Sequence, residues 1–403
     1  MAISLRIKAR AAVLWAGLLG LASSCVTPYM PDVPTAKQDY LVINGFINSQ
    51  GVTNIQLTRS LALDATKAPA AEAKAKVVIQ ASGGPQFVLT EQPAGTYTSA
   101  SLNLNPTLTY KLAITTATGK SYETDYMPVK TTPAIDNVHW RYENDGIQIY
   151  VNTQDASRNT TYYRWKYQET WQFTSAFQSR YQYNPITKII EPRRDDIYHC
   201  WGNNLSTSII QTNTTRLSQD VVKDFPLVLL PANSEKLRLR YSILVQQYAQ
   251  TREEYDYWET LKKNTESIGT INDPLPSQIT GNVHCLSNPD EPALGYVGLH
   301  SVSEQRIFID RKDLPVPFDF VFQTGYETCV EVEEKRCPRP PFPPLPPGVT
   351  NIFSAPGLLL TSTTGDDCPR GGCYLTACSY FGSFTECVDC RVRGTNVKPS
   401  FWK

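Results

Sequence analysis

The stretch YYRWKYQETWQF, residues 162–173, decides what kind of fold this chain adopts. Tyr163, Trp165, Tyr167, Trp171 and Phe173 share one parity, and Arg164, Lys166, Gln168, Thr170 and Gln172 share the other. A period of two is that of an extended strand with one face in a core and the other in polar surroundings. Clustered aromatics also suit a carbohydrate platform, but the alternation favours the core face.

The same signal recurs on either side. Leu41 to Phe46 is a short apolar run and Asn48-Ser-Gln-Gly51 a turn signal; Val52, Asn54, Gln56 and Thr58 then alternate with Thr53, Ile55, Leu57 and Arg59. Short strands are predicted at 77–81, 87–90, 95–98, 110–115 and 122–128, each bounded by Gly, Pro or Asn. Ala68 to Ala75 reads as a mobile loop, because Pro69 interrupts it. The joint Thr131-Thr-Pro133-Ala-Ile135-Asp136 opens a second set at 137–142, 147–152, 162–173 and 237–248, with 307–310 and 318–322 as closing strands. One helix is convincing. Thr251 and Glu254 form a capping box, with Trp258 and Leu261 one turn apart and Pro274 and Pro276 beyond its end. The predicted fold is mainly β: two consecutive β-sandwich domains of immunoglobulin- or transthyretin-like kind, 39–132 and 133–325, with one short helix. A Pro-rich, cysteine-stapled tail, 326–403, follows. Its run from Pro338 to Pro347 is mostly proline and cannot build a core by packing alone.

Charge and composition exclude several functions. Formal net charge is +0 with no long basic run, so nucleic acid is not an expected partner. Hydrophobic content of 41% against 19% charged suits a folded chain rather than a disordered one. The N-terminus carries Arg6, Lys8 and Arg10, then an apolar stretch from Ala11 to Ala22, then Ser23, Ser24 and Cys25. That stretch is too short to span a bilayer, which takes about 20 apolar residues. Leu21-Ala-Ser-Ser-Cys25 resembles a bacterial lipobox. The resemblance implies a signal peptide over 1–24, acylation of Cys25, and a tether over 25–38 carrying Pro28, Pro31 and Pro34.

Nine further cysteines would mostly pair in an oxidising compartment. Cys200 and Cys285 lie in the body of the chain and are expected to be joined. Cys329, Cys337, Cys368, Cys373, Cys378, Cys387 and Cys390 crowd the tail and are expected to be partly paired. The dipeptides His199-Cys200 and His284-Cys285 could instead converge on zinc, but neighbours on a strand point to opposite faces, so no metal is expected. Cys387-Val-Asp-Cys390 has redox spacing without the helix such a site opens, and reads as a staple. No nucleophile elbow, phosphate loop or zinc-protease helix is present, and no cofactor is expected.

Further stretches carry a resemblance: Tyr40-Leu-Val-Ile-Asn-Gly-Phe46, Thr132-Pro-Ala-Ile-Asp136, Glu253-Glu-Tyr-Asp-Tyr-Trp258, Gly281-Asn-Val-His-Cys285, Leu294-Gly-Tyr296, Cys387-Val-Asp-Cys-Arg391 and Gly394-Thr-Asn-Val-Lys-Pro399. With the lipobox, they resemble a Bacteroidota family of outer-membrane lipoproteins classed as domain of unknown function 4249. Its members are commonly encoded beside SusC-like TonB-dependent receptors. The resemblance implies a lipid-anchored protein of the outer membrane, at the cell surface rather than the periplasmic face, with such a receptor as partner and no catalytic residues to transfer. Two function classes follow. One is a non-catalytic binding or accessory lipoprotein in nutrient uptake; the other is a surface hydrolase acting on polysaccharide or peptide, which needs paired carboxylates or a nucleophile with its base. The tail has two readings of its own, a docking element for the receptor with Phe401 and Trp402 as anchors, or a flap covering an edge strand.

Overall fold

Alternate apolar residues from Leu41 onward become the buried face of the first sheet. The computed structural model describes residues 39–61, 67–184, 186, 189–266, 279–317, 319–335, 357–363 and 379–403. Of its two compact units, one (residues 1–39 with 61–66) falls almost wholly outside the described residues. The other, 40–60 with 67–403, holds everything below. Cys25, with the expected signal and tether, and Cys337, Cys368, Cys373 and Cys378 lie outside the described residues.

The strands in chain order begin with β1 (Leu41–Asn48), β2 (Val52–Arg59), β3 (Lys76–Ala81), β4 (Gln86–Glu91), β5 (Thr96–Ser101), β6 (Thr109–Thr115), β7 (Ser121–Thr124) and β8 (Met127–Pro128). The second set comprises β9 (Ile135–Glu143), β10 (Gly146–Gln154), β11 (Tyr162–Thr174), β12 (Tyr181–Asn184), β13 (Ile189–Pro192), β14 (His199–Leu205), β15 (Ile210–Asn213), β16 (Val221–Pro231) and β17 (Arg240–Ala249). Helix α1 (Arg252–Glu266) follows, then β18 (Val283–Cys285), β19 (Gly298–His300) and β20 (Val302–Asp310). The tail supplies β21 (Val332–Lys335), β22 (Leu358–Thr363), β23 (Ser379–Phe384) and α2 (Thr385–Val388).

The first domain is a single sheet in the order β18-β7-β6-β3-β4-β5-β2-β1-β19, with β8 on β6. Its strands enclose one core containing Ile43, Ile55, Leu57, Ile79, Tyr97, Leu112 and Tyr122. Two strands come from far along the chain. β18 pairs antiparallel with β7, and β19 runs parallel to β1, so residues 283–285 and 298–300, expected in the second domain, complete the first.

The second domain is a sandwich. A three-stranded sheet, β16-β10-β9, faces a five-stranded one, β14-β11-β17-β20 with β15 also on β11. Ile147, Ile149 and Val151 meet Tyr163, Trp165, Tyr241, Ile243 and Val245 between them. The aromatic face of residues 162–173 is therefore a core face, as its alternation predicts. Trp165 satisfies its indole on Gln247, 2.9 Å away. One polar residue shares that face. Glu169, 1% exposed, accepts from Lys236 at 2.6 Å, Tyr241 at 2.9 Å and Asn204 at 3.0 Å. The closing strand predicted over 318–322 does not form among the described residues 319–322. Pro315 and Pro317 lead into that segment without amide donors, and Phe320 turns back to bond the Pro317 carbonyl at 3.2 Å.

The end of the tail folds back. Trp201 of β14, the edge of the larger sheet, exchanges hydrogen bonds of 2.8 and 3.0 Å with Thr395. Trp402 is 5% exposed, edge-on to Trp201 and Phe308, and Arg306 lies 3.6 Å over the Phe401 ring. These aromatics anchor the chain to itself.

The disulfides correct one expectation. Cys200 pairs with Cys390, Cys329 pairs with Cys387, and Cys285 is a free thiol. Cys200 sits on β14 beside Phe173 and Cys390, whereas Cys285 sits on β18 within the core of the other domain, so the expected pair never meets. Each sulfur of Cys387-Val-Asp-Cys390 bonds elsewhere, which makes the motif two staples. In the folded protein, Cys285 should resist alkylation and react only on unfolding, and mapping without reduction should recover a peptide pair joining Cys200 to Cys390. Recovery of a Cys200–Cys285 pair would refute this assignment.

Candidate functional site

Two residues, Gln250 and Thr251, separate the end of β17 from helix α1, so the chain leaves the sheet and lies back over it. Thr251 caps it, its hydroxyl accepting from the Glu254 amide at 3.2 Å. Glu254 fills only half of the expected capping box. Its carboxylate is turned inward, 4% exposed, and lies 3.8 Å from Nε2 of His300. Gly298 makes the room, for a Cβ there would stand 2.7 Å from both carboxylate oxygens.

β15 holds the helix in place. Gln211 donates to the Tyr255 carbonyl and to Glu259, both at 3.2 Å, Asn213 donates to the Tyr255 hydroxyl at 3.2 Å, and Glu266 accepts from the Ile209 amide at 2.6 Å. The helix thereby roofs the polar face of β11. Trp258 covers Arg164, with the guanidinium 3.8 Å from the ring centroid, and Tyr248 flanks it at 5.7 Å.

Under this roof lies a cavity of about 360 Å³. Residues 42–46 of β1 form one wall, Arg164, Lys166 and Tyr248 another, and Tyr257, Trp258, Leu294, Gly295, Tyr296 and His300 close it. Phe46 stacks on His300 at 4.5 Å, and Tyr257 meets Tyr296 at 5.2 Å. Three of the stretches that carry the family resemblance, 40–46, 253–258 and 294–296, therefore contribute to one cavity. A fourth supports it, because Asn282 bonds both the amide and the carbonyl of Val297 at 2.9 Å and so fixes the segment bearing Tyr296.

The electrostatics are unbalanced. Arg164 is only 9% exposed, and among the described residues its guanidinium has no hydrogen bond or ion pair. Burial lowers its pKa from the usual value, with the Glu254 charge acting against the shift. Lys166, two residues on and exposed at the mouth, has its ammonium pushed down to about 8 by desolvation and then by Arg164. Burial raises the Glu254 carboxyl, but His300 and Arg164 outweigh it and hold the group below its ordinary value. Burial pushes Tyr248 and Tyr296 up to about 12, so both hydroxyls stay neutral. Nδ1 of His300 and Nε1 of Trp258 are buried without a partner. The arrangement offers two cations, one carboxylate, aromatic walls and unused donors.

Sequence reasoning placed Arg164 and Lys166 on the face opposite the core and did not foresee the helix that covers it. Alternation shows which face a residue takes, and not what lies over that face. The available signal was an aromatic helix with no other surface to cover. The dipeptides His199-Cys200 and His284-Cys285 stand on different sheets, with His199 on Asp196 at 2.9 Å and His284 near Asp125 at 3.4 Å, so they share no ion. Among the described residues no group of three metal-ligating side chains occurs, and no helix is long and apolar enough to cross a membrane.

Fold and cavity together define a two-domain β protein with a helix-roofed pocket. The chain belongs to the family described as Domain of unknown function (DUF4249), whose model matches residues 26–306. A search of curated proteins finds no match. Solved structures give only slight likenesses. One, titled as manganese lipoxygenase of Gaeumannomyces graminis with part of zonadhesin of Komagataella pastoris, is 9% identical with a TM-score of 0.17, over 53% of this chain and 89% of that one. Another, a putative carbohydrate binding protein from Bacteroides uniformis ATCC 8492, is 9% identical with a TM-score of 0.13, over 53% and 91%. Neither likeness carries an argument about function.

Proposed function

We propose that this protein is a non-catalytic lipoprotein of the outer membrane that captures a small ligand in the Arg164 pocket. It works beside a SusC-like TonB-dependent transporter in nutrient uptake. The observation that carries the binding role is a buried guanidinium, free of protein acceptors among the described residues, facing an aromatic-walled cavity. Preformed, largely apolar pockets with a few convergent polar groups are where small ligands bind. A hydrolase acting on sugars would need two carboxyls about 5–10 Å apart, and among the described residues Glu254 is the one carboxylate lining this cavity. The anchor and the transporter rest on the lipobox resemblance and on the family.

Affinity purification from solubilised outer membrane, with the anchor intact, tests the partner. A TonB-dependent receptor should co-purify, and its consistent absence would sink the transporter role. Cys25→Ser tests the anchor. Each acyl methylene contributes about 0.8 kcal/mol of membrane affinity, so the several acyl chains of a lipidated cysteine together give stable anchoring where one chain alone would not. The variant should be released or should keep its signal, and a matured, membrane-bound variant would overturn the lipoprotein reading.

A further inference from the structure

We infer that the pocket takes a small monocarboxylate on a flat ring, with its acid group on Arg164 and Lys166 and its ring among Phe46, Tyr257 and Tyr296. This rests on the binding role proposed above. A guanidinium has five donors and accepts nothing, and burying it without an acceptor is costly unless an anion arrives to use them. Arg164 is such a group, and Trp258 against its face leaves the edge donors free to meet a planar carboxylate two at a time. Lys166, two residues on along β11, projects from the same face at the cavity mouth and adds a point charge. A neutral sugar would leave Arg164 as it is now.

A carboxylate in the cavity selects within anions. Arg164 and Lys166 bring the positive charge, and Glu254, 3.8 Å from His300, stands against a highly charged ligand, which favours a monoanion. A dianionic phosphate would meet the Glu254 charge in the same small space. The rest of the ligand is set by the walls, since the rings of Phe46, Tyr257 and Tyr296 among the lining residues receive a flat body. A cavity of about 360 Å³ holds a molecule of one or two rings rather than a polymer chain. The C-terminus of a short peptide ending in an aromatic residue presents this chemistry directly, and a sugar acid presents it through the apolar C–H face of its pyranose.

The test is calorimetric titration of the purified full chain with phenylacetate, phenylacetamide and inorganic phosphate. Two further pairs distinguish the sources: glycylphenylalanine with its amide, and glucuronate with glucose. The acid of at least one pair should saturate the pocket and bind at least about tenfold more tightly than its neutral partner and than phosphate. Arg164→Met should abolish binding. Lys166→Met, at the exposed mouth, should weaken it severalfold without altering thermal unfolding, and decides the matter if Arg164→Met does not fold. Equal binding of acid and neutral partner, tighter binding of phosphate, or acid binding unchanged in both variants would overturn the assignment. A neutral sugar saturating the pocket while every acid fails overturns the ligand class and leaves the binding role standing. No saturation by any probe, with no receptor co-purifying, overturns both.

Discussion

Deleting residues 385–403 should unfold the sandwich of the second domain rather than merely free a tail. The truncation removes Cys387 and Cys390 and so opens both the Cys329–Cys387 crosslink and the Cys200–Cys390 crosslink, the latter with partners 190 residues apart. Closing a loop of that length contributes about 5 kcal/mol on the chain-entropy view. It also removes Trp402, whose buried ring contributes about 3 kcal/mol by the measure of large-to-small core substitutions. The β14 edge, now paired at Trp201 with Thr395, would then lie open. Against a typical domain stability of about 5–15 kcal/mol these losses are decisive. Thermal unfolding followed by circular dichroism, with limited proteolysis, measures the effect. If the shortened chain melts with the full-length one, the end of the tail is not structural, and its aromatics become available for a partner.

The second large effect is expected at Glu169. Its carboxylate is buried among Lys236, Tyr241 and Asn204, and Glu169→Leu leaves the Tyr241 hydroxyl buried and the Lys236 ammonium without its counter-charge. Breaking a buried pair from one side costs about 3–5 kcal/mol. The double variant Glu169→Leu with Lys236→Met removes both charges together and should recover much of that loss, since apolar replacement of a buried pair is often near neutral. Chemical denaturation of the two single variants and the double measures the coupling. Additive losses would mean that the two charges do not stabilise one another.

Local order was legible wherever a strand buries one face. The period of two in residues 162–173 gave the core face of β11, and the turn signals of the first domain gave most of its strands. Pairings between distant segments left no such mark. β18 and β19 are three-residue strands, too short for a period to register, yet they complete the first sheet. The partner of Cys200 was hidden for the same reason, because proximity to Cys390 arises only once the tail has folded back. Glu169 breaks the apolar pattern of its face, and only Lys236 and Tyr241, supplied by other segments, explain how it is tolerated there. The candidate site was the least legible part. It is made by β1, β11, β17, α1 and the segment around Tyr296, none of which carries its chemistry alone.

The return of residues 283–300 to the first sheet and the clasp of Thr395 on β14 place the order of synthesis at odds with the order of completion. A chain emerging from its N-terminus exposes β1 and β7 long before their partners β19 and β18 exist, and β14 waits for almost the last residues. Neither domain can close around a half-made chain. Such a polypeptide stays extensible while it is being made or threaded through a pore. Over that interval its open strand edges depend on holding factors for protection from one another.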